Sequence, residues 1–225
     1  MSHGSFFNLA SLLDLLPKNI QDLRILDVGF GNGQVLHTIM SQGTRRKSVH
    51  EKTHSYSDTL YNNFGGTPYI IGLDIDPINV EFAKTWMPFY REVYKYDATV
   101  IPYPEAIIKD IDILICTEVV EHLKDKDKAL KMIEYLSDKA KLVIFMCPYG
   151  NTLSNKNKVI DYDNHNSIWY DTDFKKLGFN TKVIKKIYWV GIEYMIVSFL
   201  LDLINTIKPH NKSITKNILA WKDNK

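Results

Sequence analysis

Three glycines spaced two apart, Gly29, Gly31 and Gly33, follow the apolar run Arg24-Ile-Leu-Asp-Val28 and precede an amphipathic stretch that starts at Gln34. Glycine lets a chain turn sharply and lets its backbone approach a ligand closely. The dinucleotide fingerprint puts its third glycine three residues after the second. Here the interval is two and position 34 is Gln, which speaks against a nicotinamide enzyme. A second apolar run, Tyr69-Ile-Ile-Gly-Leu73, ends at Asp74. A carboxylate at that strand end can accept hydrogen bonds from both hydroxyls of a ribose. Asp76 and Pro77 instead read as helix-starting residues. A third feature, Tyr96-Asp97-Ala98, closes another short run. Asp97 can accept from an exocyclic adenine amine while the next backbone N–H donates to a ring nitrogen. One such Asp is usually a cap or a turn residue. The glycine turn and these two acids, in this order at successive strand ends, point to a nucleoside.

The elements that would position these residues follow from the apolar pattern. Short apolar runs alternate with longer amphipathic stretches, which predicts parallel strands joined by crossover helices. Expected strands are 24–28, 69–73, 93–96, 111–115, 141–146, 181–189 and 217–221. Expected helices are 6–16 (stopped by Pro17), 34–40, 77–86, 125–136 and 171–177, the last ended by Gly178. From Gly33 to Asp74 is 41 positions, where a simple βαβ unit needs about 20. An insertion is therefore expected at about 41–63, which carries Arg45, Arg46, Lys47, His50 and His54.

As a set, Leu26-Asp-Val-Gly-Phe-Gly-Asn-Gly33, Ile71-Gly-Leu-Asp-Ile-Asp-Pro77, Tyr96-Asp-Ala98, Asp112 to Leu123 and Leu142-Val-Ile-Phe-Met-Cys-Pro148 resemble the class I S-adenosylmethionine-dependent methyltransferases, over about residues 20–180. The resemblance implies an α/β three-layer sandwich around a seven-stranded, mostly parallel, Rossmann-like sheet whose last strand is antiparallel. It implies S-adenosylmethionine as cofactor. Asp27, Gly29, Gly31 and Gly33 would lie along its methionine part, Asp74 on the ribose, Asp97 beside adenine and Thr117 near the sulfonium. Ile75 and Ala98 complete the expected cofactor-binding set. Phe30 departs from the family, which often has a small residue between the first two glycines.

The acceptor side is framed by Thr117–His122 and by 149–169. The sulfonium already activates the methyl group, so the protein must align the acceptor and, for a hydroxyl or amine, supply a base. His122 and His165 are the candidates. For His122, a helix-start residue bonded to backbone is an equal alternative. Asp163-Asn-His-Asn-Ser-Ile-Trp169 reads as a polar loop whose His and aromatic contact substrate. Glu118, Glu121, His122 and His165 have the side chains of a divalent-metal site. The spacing Glu-x-x-Glu-His with a later Asn-His-x-x-x-Trp resembles metal-using small-RNA 2′-O-methyltransferases. Glu-Val-Val-Glu-His-Leu is also similar to metal-free small-molecule O-methyltransferases, where Glu121 is a solvated helix residue. The reading adopted has no metal and a small-molecule or glycan-like acceptor, methylated on oxygen or nitrogen. The alternatives are metal-dependent RNA ribose 2′-O-methylation and a non-catalytic cofactor-binding domain.

A chain of 225 residues, 45% hydrophobic and 24% charged, is expected to be a single domain. Its net charge of +2 leaves no broad basic field for duplex nucleic acid. Cys116 and Cys147, each in an apolar run, are expected to be buried free thiols. With no signal-peptide pattern at the start, they predict a cytoplasmic protein. Residues 187–207 are strongly apolar, but Glu193, Asp202 and Asn205 interrupt them. The expectation is an amphipathic helix at about 191–207 packed on the domain, with contact to a membrane surface as the lesser alternative.

Overall fold

The alternation of apolar runs and amphipathic stretches resolves into one seven-stranded sheet. The computed structural model describes residues 9–17, 20, 22–33, 35–36, 68–150, 164–185 and 216–224. The expected insertion at 41–63 and the apolar stretch at 191–207 lie outside the described residues.

In chain order the elements are α1 (Leu9–Leu13), β1 (Arg24–Val28), β2 (Tyr69–Asp74), α2 (Pro77–Trp86), β3 (Tyr90–Lys95), α3 (Glu105–Ile108), β4 (Ile111–Thr117), a 3₁₀ turn (Val120–His122), α4 (Lys126–Leu136), β5 (Ala140–Pro148), α5 (Asp171–Lys175), β6 (Asn180–Lys185) and β7 (Lys216–Asp223). Strand order across the sheet is β3-β2-β1-β4-β5-β7-β6. Neighbours from β3 through β5 are parallel, and β7 pairs antiparallel with both β5 and β6. This is the expected Rossmann-like methyltransferase architecture.

The central strands are buried on both faces because helices cover both. One core layer joins Leu26, Leu114, Val143 and Ile218 to Met132, Ile133 and Leu136 of α4 and Phe174 of α5. The other joins Ile25, Ile70, Ile113 and Ile144 to Leu12 of α1 and Val80 and Ala83 of α2. In α4 the buried residues Ala129, Met132, Ile133 and Leu136 recur at helical spacing, and each of the larger ones stabilises by roughly 1.5–3 kcal/mol on burial. Asp125 caps this helix, accepting from the N–H groups of Asp127 and Lys128. Asp76 caps α2, accepting from Ile78, with Pro77 in the first turn.

Two expectations shift. β3 spans Tyr90–Lys95 rather than 93–96. It is an edge strand, so polar Arg91 and Glu92 sit in it without breaking the sheet, and the apolar signal understates its length. Trp169, read as a substrate-contacting aromatic, is wholly buried in the core against Phe174, with ring centroids 5.5 Å apart. Its indole N–H donates to Ser167 Oγ at 2.8 Å, so even its polar edge is internally satisfied.

Candidate functional site

From β1 the chain winds through β2 to β3 on one side of the sheet, and β4 continues on the other. Strand order therefore reverses at the carboxyl ends of β1 and β4, where open α/β sheets form their ligand crevice. The glycine turn sits there. Gly29, Gly31 and Gly33 have φ of 71°, 55° and 66°, a region that L side chains adopt only with strain. The N–H groups of Gly29 and Phe30 donate to the Leu73 carbonyl at 2.7 and 3.2 Å. The N–H of Gly31 donates to Asp74 Oδ2 at 2.7 Å. The turn is thus tied to the end of β2.

Each glycine has its own reason. A Cβ on Gly29 would stand 2.2 Å from Val119 Cγ2, and one on Gly33 would stand 2.4 Å from Met87 Sδ. A Cβ on Gly31 would meet nothing within 4 Å among the described residues. Protein packing therefore explains the first and last glycines, while no described residue occupies the space beside the middle one, where a ligand can lie. Phe30 turns into the protein and packs against Tyr90, with centroids 5.1 Å apart, so its side chain leaves the crevice clear.

Asp27 is buried at the end of β1 and accepts from the Tyr90 phenol at 2.7 Å. Burial pushes its carboxyl up to about 7; the Tyr90 hydrogen bond opposes the rise and the Asp74 carboxylate adds to it. Asp74 is also raised by burial, against the backbone N–H groups of Asp76 and Gly31. Asp74 Oδ1 accepts from Asp76 N–H at 2.8 Å. The carboxylate expected on the ribose therefore also organises the glycine turn, with lone pairs remaining for a ligand. Ile75, next along, is left 46% exposed. Tyr96 N–H donates to the Asp74 carbonyl at 2.8 Å, which places Asp97 at the neighbouring strand end. Asp97 is exposed, and its Oδ1 accepts from Thr99. The Ala98 carbonyl accepts from the Tyr103 phenol at 2.9 Å. Thr117 is buried at the end of β4. The expected cofactor residues thus share one edge, and a nucleoside cofactor fits them: an open glycine, an acid at each of three strand ends and an uncovered apolar side chain between two of those acids.

On the other side of the switch point, Glu118 has a left-handed backbone, φ 55°. The 3₁₀ turn then brings Glu121 and His122 to the sheet edge. Glu121 is wholly buried, contrary to its reading as a solvated helix residue. The segment 164–169 is pinned over this turn: Asn166 and Ser167 N–H donate to the Glu121 carbonyl at 2.7 and 3.0 Å, and Asn166 Nδ2 donates to the His122 carbonyl at 2.8 Å. His165 is thereby carried beside His122, rings edge-on with centroids 4.9 Å apart. Ligand atoms of Glu121, His122 and His165 all lie within 4.8 Å of one another.

The His122 tautomer follows from its partners. Nδ1 stands 3.1 Å from the Asn164 carbonyl; a carbonyl only accepts, so Nδ1 carries the hydrogen. Nε2 then faces Glu121 Oε1 at 3.7 Å. A cation seated there would meet the Nε2 lone pair and the Glu121 carboxyl together. The set of one carboxylate and two imidazoles, one imidazole oriented by a backbone carbonyl, fits a divalent transition metal.

Tyr90, Val119 and Asn217 belong to this edge and carry no local sequence signal. Among the described residues no helix is long and apolar enough to cross a membrane.

A methyltransferase-domain family model matches residues 53–144. No curated protein sequence matches the chain. Solved structures share its fold. An S-adenosylmethionine-dependent methyltransferase from Archaeoglobus fulgidus is 18% identical, with a TM-score of 0.55 over 95% of this chain and 92% of that one. Another from Mesorhizobium loti is 12% identical, with a TM-score of 0.55 over 96% of this chain and 97% of that one. A small RNA methyltransferase is 16% identical with a TM-score of 0.54; 99% of this chain aligns with only 25% of that one, so this chain spans a quarter of that protein's length. Sheet order is that of the class I, Rossmann-like methyltransferase fold, and over residues 53–144 the chain is similar to the methyltransferase-domain family.

Proposed function

We propose that this protein transfers the methyl group of S-adenosylmethionine to a ribose hydroxyl of RNA, with a divalent cation held by Glu121, His122 and His165 and by Glu118 just before them. The observation that carries the reading is the convergence of Glu121, His122 and His165 within 4.8 Å, with the His122 tautomer set so that Nε2 faces the Glu121 carboxylate. The sulfonium supplies an already activated methyl group. A divalent cation would supply a Lewis acid that lowers the pKa of the attacking hydroxyl.

The chain's own residues do the rest. The glycine turn and Asp74 set the nucleoside. The hydrogen bonds from 166–167 to the Glu121 carbonyl hold His165 over the turn. The neighbouring small RNA methyltransferase and the Glu-x-x-Glu-His spacing support RNA as the acceptor. With a net charge of only +2, a strand end or short single strand suits the chain better than a duplex. The second reading, a small-molecule or glycan-like hydroxyl or amine with His122 or His165 as base, uses the same residues without a metal.

One experiment separates them. Methyl transfer to short single-stranded RNA is assayed with and without chelator, for the wild type and His165→Ala. The RNA reading expects chelator to abolish transfer and Mn²⁺ to restore it. It expects His165→Ala to slow transfer by at least about tenfold with S-adenosylhomocysteine affinity unchanged. Chelator-insensitive transfer to small hydroxyl compounds, with RNA inert, would establish the second reading.

A further inference from the structure

β7 is apolar where it crosses the sheet: Ile218, Leu219 and Ala220 are all buried. At its head stands Asn217, wholly buried as well and paired with Pro148 of β5 and Ile184 of β6. Burying an amide costs a few kcal/mol unless its polar atoms are paired, and Asn is a poor strand residue. A Leu would serve the sheet better, so the reason for Asn lies elsewhere.

Asn217 Nδ2 donates to Glu118 Oε1 at 3.0 Å, across 99 positions of chain. The amide orientation is fixed, because a carboxylate only accepts and the nitrogen must face it. Asn217 Oδ1 is therefore turned away from Glu118; it is buried and has no hydrogen-bond partner among the described residues. Glu118 is anchored from its backbone too, its N–H donating to the Met146 carbonyl at 2.8 Å. Its left-handed φ of 55° is a strain that persists only where the surroundings impose it. Register puts the pair at the working edge: Asn217 lies opposite the last residue of β5, and Glu118 follows the last residue of β4.

We propose that Asn217 is a positioning residue of the methyl-transfer site: its amide fixes the Glu118 carboxylate at the edge where Glu121 and His122 follow, so that Glu118 is held ready for a divalent cation bound there. The proposal rests on the metal reading above. Groups that orient metal ligands are worth about 10–100-fold in metal affinity.

The test is calorimetric titration of Mn²⁺ into the protein saturated with S-adenosylhomocysteine. The wild type is compared with Asn217→Leu, Asn217→Ala, Glu118→Gln and the double variant Glu118→Gln/Asn217→Leu. Both Asn217 variants are expected to bind Mn²⁺ at least about tenfold more weakly while S-adenosylhomocysteine affinity stays within about twofold of the wild type. Asn217→Leu should melt no lower than the wild type, because a purely structural asparagine would leave a cost behind. In the double variant the losses should fall short of additive, as for residues acting through one another. Wild-type Mn²⁺ affinity in both Asn217 variants overturns this proposal and leaves the metal reading standing. Loss of S-adenosylhomocysteine binding in both makes Asn217 a requirement of the fold and overturns it as well. A wild type that binds S-adenosylhomocysteine but no Mn²⁺ overturns the metal reading and this proposal together.

Discussion

The two sides of the switch point are assembled by different rules. On the β1–β2–β3 side, each feature sits at the end of a strand that its own short motif announces: the glycine turn after β1, Asp74 closing β2, Asp97 soon after β3. On the β4–β5–β7 side, the arrangement exists only through partners distant in sequence. Asn166 reaches back to the Glu121 carbonyl, His122 to Asn164, and Asn217 to Glu118 across 99 positions. The first side is written in spacing, whereas the second is written in tertiary contacts that no spacing records. A cofactor pocket of this kind can thus be recognised from sequence while its acceptor pocket cannot.

The sharpest break of that contrast lies within one short segment. Trp169→Ala should cost about 3–5 kcal/mol of stability, as for other buried aromatics truncated to a void, while His165→Ala leaves the melting temperature nearly unchanged. Chemical denaturation of both variants checks this. Equal losses would mean that the segment is a single packed unit and that His165 is no freer for chemistry than Trp169.

Gly29→Ala comes next. It adds a methyl 2.2 Å from Val119 Cγ2 at a φ of 71°, costing about 2–5 kcal/mol from overpacking and left-handed strain together. Adding Val119→Ala should recover the packing part and leave about 1–2 kcal/mol of backbone strain. Full recovery in the double variant would show that the glycine is required for space alone.

Asp74→Ala should weaken S-adenosylhomocysteine binding by about 1–3 kcal/mol, through the lost ribose acceptor and the loosened Gly31 N–H. Calorimetry reads it, and an unchanged affinity would remove Asp74 from the cofactor side altogether.

The smallest and most pH-dependent effect concerns Asp27. Its folded-state value of about 7 lies above the ordinary aspartate value of 3.8. Its contribution to stability is therefore fully present below about pH 4 and is lost as pH rises through 7. Asp27→Asn should stabilise the protein at pH 8, by at most a few kcal/mol, and change little at pH 4. The same substitution should weaken binding of the cationic methionine end of the cofactor. Wild-type affinity should climb with pH up to about 7 and level off above it. A flat affinity profile between pH 5.5 and 8.5 would falsify the placement of Asp27 beside that end.

How much could be read in advance follows the same division. The buried parallel strands, the Asp76–Pro77 helix start and the Gly178 stop were legible because each depends on neighbours within a few residues. Glu121 reads as solvated because a Glu in a polar-looking turn usually is; it is buried because the 164–169 segment lies across it. Trp169 reads as a surface aromatic because Asp163, Asn164, His165 and Asn166 surround it in sequence; in space its neighbours are Phe174 and the Lys126 chain, whose ammonium lies 4.8 Å from the indole. Tyr90 gives no sign of its bond to Asp27, since its partner stands 63 positions earlier on another strand. Asn217 looks like the polar start of a final strand, and its burial appears only when β7 is slotted between β5 and β6.

That slotting also sets an order of events. β6 precedes β7 in the chain, yet β7 separates it from the rest of the sheet, so β6 has no edge to join until Lys216–Asp223 has been made. A ribosome delivers residues from the N-terminal side at about 5–20 per second. The glycine turn, Asp74, Asp97 and Thr117 are all out some hundred residues before Asn217. The emerging polypeptide can thus gather its nucleoside crevice while the β5 edge still waits, unpaired and open to the wrong strand. An early cofactor would brace that five-stranded half against misassociation by binding the folded form alone. The strand ends around the glycine turn are laid down first, and Asn217, with its bond to Glu118, arrives with the final strand.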